Sequence, residues 1–572
     1  MKRDTDKRTG NLSRRELIKT TGGIAGGAML VGAVPSASAR LGQEQGQGKP
    51  ISARGPDGGS GTLRLVNGRF VDGRGEVASA LSIKDGRIAA LGPRGAAGAH
   101  ARTINLKGKT VIPGFINGHI HHSRTGTNAG YEARDIETAF SIHEIQEVLA
   151  RRTKTVPAAA WTGCHLGWHY AQLAENRPPT KAELDDAAPN HRVFLSGRAG
   201  HVEPFFSVTN TAGQRFFEAQ GFTVDNDTGR ILLTPGGTTA TPEDAFNAIR
   251  DLETPEDRLR QTFDNNKWVA SLGTTLVLDP AGSPSTAQDY PAVELWRRRM
   301  LDVRHRLFHS AGNAETVENR MQNTFRHMGD DWLREGGFGE TIGIRGDIPG
   351  TFAPVATPIA ARQWKIQNHT DFFAQVDQQI AAFQAITAQH PIDNLRWQLI
   401  HVFQVTEAQA QILKDLGVGV DLELERYLDR LERGGGPFFR LLVDSGIDIG
   451  FGNDGSNFAP NNPWLMMYYA TTGVSVTGEP NNVDQTISRM EALRLFTAGS
   501  AFISFDDDRL GTFEVGKYAD LAVLSDDFRR VSDANLRRIR SVLTLVGGKI
   551  VHEGMVPQYA PIGTEFEYTT GL

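Results

Sequence analysis

Between residues 111 and 507, short apolar runs alternate with longer stretches rich in Ala, Gln, Glu and Arg, such as 371–389 and 406–415. Runs of four or five apolar residues suit strands buried on both faces, and the stretches between them suit helices, so the alternation predicts βα units around a parallel sheet. Nine candidate strands fit the pattern: 111–115, 193–196, 274–278, 305–308, 342–345, 365–368, 397–400, 418–422 and 448–452. A closed (β/α)8 barrel needs eight. One of the nine therefore lies elsewhere, and the sequence leaves open which. The flanks read differently: around Asn67-Gly68 and Asp85-Gly86, and again at 518–524 and 541–548, runs of alternating polarity are broken by glycine turns. Asn-Gly and Asp-Gly are strong hairpin turns. The predicted fold class is α/β: a TIM-like (β/α)8 barrel over 111–507, with a small β-sandwich built from both chain ends, 62–110 and 508–572.

The first 39 residues read as an address. Ser13-Arg14-Arg15-Glu16-Leu17-Ile18-Lys19 precedes a mild apolar segment, 20–34, with five glycines, and Ala37-Ser38-Ala39 supplies a small-residue cleavage site. This is the pattern of a twin-arginine signal peptide. The apolar segment is too short and too glycine-rich to make a stable span. Residues 40–61, rich in Gly, Gln, Ser and Pro, read as a flexible linker. The expectation is export through the twin-arginine translocase to the periplasm or the exterior. The net charge of −5 becomes more acidic once a leader with seven Lys/Arg and three Asp/Glu is removed. An acidic chain is a poor partner for nucleic acid, which needs a positive surface. A single cysteine, Cys164, excludes a disulfide scaffold and a cysteine-rich metal cluster. Nothing in the sequence pairs it with a base as a nucleophile.

Chemistry stands at the strand ends. Val111-Ile112-Pro113-Gly114-Phe115-Ile116-Asn117-Gly118-His119-Ile120-His121 runs from an apolar strand into a His-x-His pair. Alternate residues of a strand share a face, so His119 and His121 aim two imidazoles at one point. The candidate strands at 365, 397 and 448 run into His369, His401 and Asp454. Four strands thus bring four histidines and one carboxylate to the rim on which such barrels place their sites. Imidazole with carboxylate is the ligand set of Zn2+ and related divalent ions. His122, His143, His165, His169 and His309 lack this pattern and read as structural. Asp421, Glu423 and Glu425 read first as a solvated helical turn, with a cleft-facing or ligand role as the alternative.

This arrangement resembles the amidohydrolase superfamily over nearly the whole chain after the leader. The His-x-His strand and Gly511-Thr512-Phe513-Glu514-Val515-Gly516-Lys517-Tyr518-Ala519-Asp520-Leu521-Ala522-Val523-Leu524 carry the likeness. Residues 161–168, Pro178-Pro179-Thr180-Lys181-Ala182-Glu183-Leu184-Asp185 and Gly200-His201 are similar to the branch that contains N-substituted formamide deformylase. The resemblance implies that His119 and His121 hold one metal ion, and that His369 and His401 hold a second or complete the first. It also implies that Asp454 is both ligand and proton shuttle. The implied cofactor is a divalent metal, Zn2+ first, as one or two ions. His201 has two readings of equal weight: contact with the substrate carbonyl or its oxyanion, or a structural hydrogen bond. Two departures leave the metal number open: Arg345 stands where a bridging lysine would be expected, and Thr234 where that branch often has Glu. The implied activity is hydrolysis of a non-peptide C–N bond in a small molecule, an N-substituted amide, formamide or carbamate, by metal-activated water. Ester or lactone hydrolysis, or an isomerase or lyase step on the same metal site, is the alternative. A binding protein on a retired barrel is a third. The sequence leaves the oligomeric state open.

Overall fold

The chain passes from one sheet to another at Pro113-Gly114. The stretch 111–115 is two strands: Thr110–Pro113 in the first sheet and Phe115–Asn117 in the second. A Cβ on Gly114 would lie 2.2 Å from the Thr275 side chain, so glycine is the residue that fits the crossing. The structure, a computed structural model, describes residues 63–92, 102–199, 205–280, 286–343, 350–370, 373–428, 435–455, 459–564 and 566.

The first sheet joins both chain ends. Its strands run in the order Lys549–Glu553, Ser541–Val546, Leu521–Leu524, Thr110–Pro113, Leu63–Asp72, Gly75–Lys84 and Arg87–Gly92, with Arg102–Asn105 also paired to Leu63–Asp72. Asp85-Gly86, with φ of +50° and +76°, makes the expected tight hairpin. Asn67-Gly68 does not. It lies inside the strand Leu63–Asp72, where pairing slips between Val66 and Phe70, and the chain reverses at Gly73-Arg74 instead. A left-handed Asn67 (φ +54°) serves a β-bulge there.

Eight parallel strands follow in two runs of four. Phe115–Asn117, Thr274–Asp279, Arg304–Ala311 and Leu333–Ile342 are neighbours, as are Gln367–Thr370, Gln398–His401, Gly419–Leu422 and Ile449–Phe451. Helices alternate with them, among them Phe352–Ala361, Phe373–Thr387 and Glu407–Asp415. Phe338 bridges Ile366 in parallel, and Gly118 N–H donates to Phe451 O at 2.8 Å. The strand expected at 342–345 lies earlier, at Leu333–Ile342, because Gly336, Gly337 and Gly339 break its apolar pattern. The supernumerary ninth candidate, 193–196, belongs to a separate sheet. That sheet, of order Phe205–Thr209, Arg192–Arg198, Trp161–His169, Tyr131–Glu132, is inserted between the first and second parallel strands.

The largest apolar cluster packs Ile366, Leu399, Val420 and Phe451 of the parallel strands against Phe383, Trp464 and Phe496. At the other end of these strands, Asp506 accepts from Arg306 Nε and Nη2 at 3.0 and 2.9 Å and from Arg334 Nη2 at 2.9 Å. The three side chains are almost wholly buried. Burial pushes the Asp506 carboxyl up, but Arg306, Arg334 and Arg509 outweigh it and hold the group down at about 2. The folded value is thus below the ~3.9 of an unfolded aspartate. The stabilisation is present above that unfolded value and is lost as pH falls through about 2. Asp506→Ala is expected to cost about 3–5 kcal/mol at neutral pH, because it strands buried guanidinium charge. Denaturant titrations from pH 7 to pH 2 check both parts. The variant starts lower, and its loss of stability below pH 4 is shallower than that of the parent chain.

Candidate metal centre

His119 and His121 follow the strand Phe115–Asn117, and Asp454 follows Ile449–Phe451. Backbone bonds lock the two segments together: Asn453 and Asp454 N–H both donate to His119 O, at 2.9 and 3.0 Å, and His121 N–H donates to Gly455 O at 3.1 Å. The approach is close enough that a Cβ on Gly452 would sit 2.5 Å from His119 N. Asp454 Oδ1 therefore lies 3.3 Å from His119 Nε2 and 2.9 Å from His121 Nε2.

Glu340, near the end of Leu333–Ile342, stands between this group and the next two histidines. Its Oε2 is 3.6 Å from His121 Nε2, and its Oε1 is 2.8 Å from His369 Nδ1 and 3.4 Å from His401 Nε2. His401 Nδ1 in turn meets Glu423 Oε2 at 3.1 Å. His401 and Asp454 both have left-handed backbone, with φ of +74° and +50°, a conformation uncommon outside glycine but more frequent for His and Asp. Three triplets bring their donor atoms within 4.8 Å of one another: His119/His121/Glu340, His119/His401/Glu423 and Glu340/His369/His401.

Burial would push the Glu340 carboxyl up, but bonds from His369 and His401 and the nearby charge of His121 and His119 hold it well below the usual carboxylate range. Asp454 is likewise driven up by burial and held well down by His119, His121 and His401. Burial pulls His401 down, yet Glu423, Glu340 and Asp454 raise it well above its ordinary value. The net result is two ionised carboxylates set among imidazoles, an arrangement that attracts positive charge. The Nδ1 atoms of His119 and His121 are buried without a hydrogen-bond partner among the described residues. Four imidazoles facing two ionised carboxylates are the donors that divalent transition metals take, so the residues present fit such an ion. His119, His121 and Asp454 would hold one, His369 and His401 a second, with Glu340 within reach of both.

All five histidine and aspartate ligands expected from the sequence thus converge. His201 lies outside the described residues, as does Arg345. Thr234 is remote from the centre, its Oγ1 exposed and bonded to Thr238 Oγ1 at 2.8 Å. Glu340 was missed because its glycine-broken strand was placed a few residues too late. The signal available was an acid at the end of an otherwise apolar run, Phe338-Gly339-Glu340. Asp421, Glu423 and Glu425 are not a solvated helical turn: all three are buried, and Glu423 orients His401. The histidines read as structural include His122, bonded to Asn266 and stacked edge-on against His305. Burial raises the Cys164 thiol well above its ordinary value, which leaves it inert.

The chain can now be set beside known proteins. A model of the amidohydrolase family matches residues 102–552. N-substituted formamide deformylase of Arthrobacter pascens is 24% identical over 553 residues, covering 86% of this chain and 98% of that protein. An uncharacterised metal-dependent hydrolase from Pyrococcus horikoshii superposes with a TM-score of 0.53 at 20% identity, covering 82% of this chain and 99% of its own. A variant of atrazine chlorohydrolase from Arthrobacter aurescens, crystallised with zinc and atraton, gives 0.52 at 18% identity, with 87% and 97% covered. With the family model spanning most of its length, this chain belongs to the amidohydrolase family of metal-dependent hydrolases.

Proposed function

We propose that the protein is an exported hydrolase that cleaves a non-peptide C–N bond of a small N-substituted amide, formamide or carbamate, with zinc as its metal. The observation that carries this is the position of Asp454, whose Oδ1 reaches both His119 and His121 while Glu340 faces His121, His369 and His401. The likeness to a formamide deformylase supports the bond type, and the zinc-bound structural relative supports the metal.

The eight parallel strands are read as a closed barrel. The Phe338–Ile366 bridge and the Gly118–Phe451 hydrogen bond, which continue the pairing at both seams, support closure. The sheet shared by both chain ends supports the small β-sandwich beside it.

A divalent ion held by these ligands supplies Lewis acidity, lowering the pKa of water from about 15.7 toward ~7 and polarising the scissile carbonyl. Asp454 is placed to accept the proton that the attacking water loses as its oxygen bonds to the carbonyl carbon. The C–N bond then breaks, and Asp454 returns that proton to the leaving nitrogen. The products are a carboxylic acid and an amine. Glu423 holds His401 by its Nδ1, leaving Nε2 directed at the centre.

Elemental analysis of the purified protein is expected to give close to two equivalents of metal per chain. Glu340→Ala, which removes the carboxylate shared by both ligand groups, is expected to lower this to one or fewer. Asp454→Asn is expected to keep the fold and lower kcat by about 10²–10⁴-fold, read on a panel of N-substituted amides and formamides in ¹⁸O water. A near-parental rate, or an acid product free of ¹⁸O, counts against the mechanism. Replacing Arg14 and Arg15 together by Lys is expected to leave the unprocessed chain in the cytoplasm, as cell fractionation would show.

A further inference from the structure

A second cavity lies against the helix His122–Gly126 that follows the His-x-His pair. It measures about 230 Å³ and is lined by Arg124, Thr127, Asn128, His165, Glu243, Phe246 and Arg250. At roughly 30 Å³ per water, it has room for a small organic substituent. Arg124 is three residues beyond His121, less than one helical turn. The cavity therefore adjoins the segment that carries the His-x-His pair, where the inserted segment meets it.

Its walls are unevenly charged. Arg250 stands 3.9 Å from Glu243, at the limit of an ion pair. The Arg124 guanidinium has no hydrogen bond or ion pair among the described residues, and it is only half-buried. Two guanidiniums against one carboxylate leave one positive charge uncompensated.

His165 adds a directed donor. Its side chain is 3% exposed, and its ring is stacked on Phe246 at 3.9 Å. Ser196 Oγ accepts from Leu166 N–H at 3.2 Å and lies 2.8 Å from His165 Nδ1. In the tautomer in which the serine hydroxyl donates to Nδ1, the ring's own hydrogen stands on Nε2. That Nε2 is buried with no hydrogen bond within 3.5 Å among the described residues, and Glu243 Oε2 lies 3.6 Å away. A ligand oxygen in the cavity would offer this hydrogen an acceptor closer than Glu243.

Resting on the hydrolase reading above, we propose that this cavity receives a carboxylate carried by the substrate, held by Arg124 with His165 Nε2–H as second donor. The preferred substrates are then anionic N-substituted amides or formamides. Neither residue belongs to the metal centre, so the cavity selects the substrate and leaves the chemistry to Asp454.

The test compares 4-formamidobutanoate, 4-formamidobutanamide and N-(4-aminobutyl)formamide, with their acetamide counterparts, on the metal-loaded full chain. The carboxylate is expected to exceed the carboxamide in kcat/KM by roughly ten- to a hundredfold, the span of a hydrogen bond to a charged group, mainly through KM. Arg124→Gln is expected to erase that preference, and Arg124→Lys, which keeps the charge, to retain most of it. Preference for the amine, no preference at all, or a preference that survives Arg124→Gln overturns the proposal. If the parent chain hydrolyses none of the six, the proposed N-substituted amide and formamide substrate class is what fails. The cavity is then judged by calorimetric titration with butyrate and butyramide on the metal-loaded parent and Arg124→Gln chains. A tenfold loss of butyrate affinity in the variant supports the anion site, and equal affinities sink it.

Discussion

The centre depends on the pairing of two short extended segments, the one that carries His119 and His121 and the one that carries Asp454. Two N–H groups donate to the His119 carbonyl and the His121 N–H returns a bond to Gly455, so the carboxylate is set against the imidazoles by backbone. Side-chain flexibility has little say in that geometry. The pairing tolerates no side chain at Gly452, and it requires left-handed backbone at Asp454. It also makes spatial neighbours of the first and last of the parallel strands. The remaining ligands then arrive by succession along the sheet, Glu340, His369 and His401 each from the end of its own strand.

Beneath the ligands the strands carry an unusual amount of buried charge. Asp421 sits between Gly118 and Gly450, where a Cβ on either would lie 2.0 or 2.6 Å from its carboxylate. Burial and the neighbouring Glu423 push this carboxyl well up, and burial pulls Lys365 well down, so both lean toward their neutral forms. Lys365 Nζ donates to Arg396 O at 2.7 Å and to Gln398 Oε1. An apolar floor of the same volume would generally be at least as stable. Asp421 and Glu423 alternate along one strand end and so share a side, and Glu423 is the group that holds the His401 ring. The polar floor thus continues into the support of a proposed metal ligand.

Periodicity and strand-end chemistry exposed most of this arrangement in the sequence. His119, His121, His369, His401 and Asp454 were legible because each stands at the end of a candidate strand, most of them short apolar runs. Leu333–Ile342 was misplaced for the converse reason. Three glycines within eight residues destroy the apolar signal while permitting close backbone approaches, such as that of Gly337 to the Lys365 carbonyl. With the strand went its acid, Glu340. The acids at 421–425 were misread because charge density alone suggests solvent, whereas alternation on a strand carried two of them inward. Nor could a sequence separate a hairpin Asn67-Gly68 from a bulged one, since both need the same left-handed residue.

The metal centre and the neighbouring cavity are built from different parts of the chain. Strand ends supply every proposed ligand, while His165, Glu243, Phe246 and Arg250 come from the segment inserted between the first two parallel strands. Arg124 joins the two, because it follows a ligand pair by less than one helical turn and yet opens on the insertion. Strand-end residues are held by backbone hydrogen bonds to neighbouring strands, so their side chains keep fixed places around the centre. Residues of the insertion carry no such constraint and can change with the substrate. A scaffold of this kind can therefore hold its centre fixed while the inserted segment varies. Under the proposal above, the cavity beside Arg124 is therefore where a preference among substrates would be set.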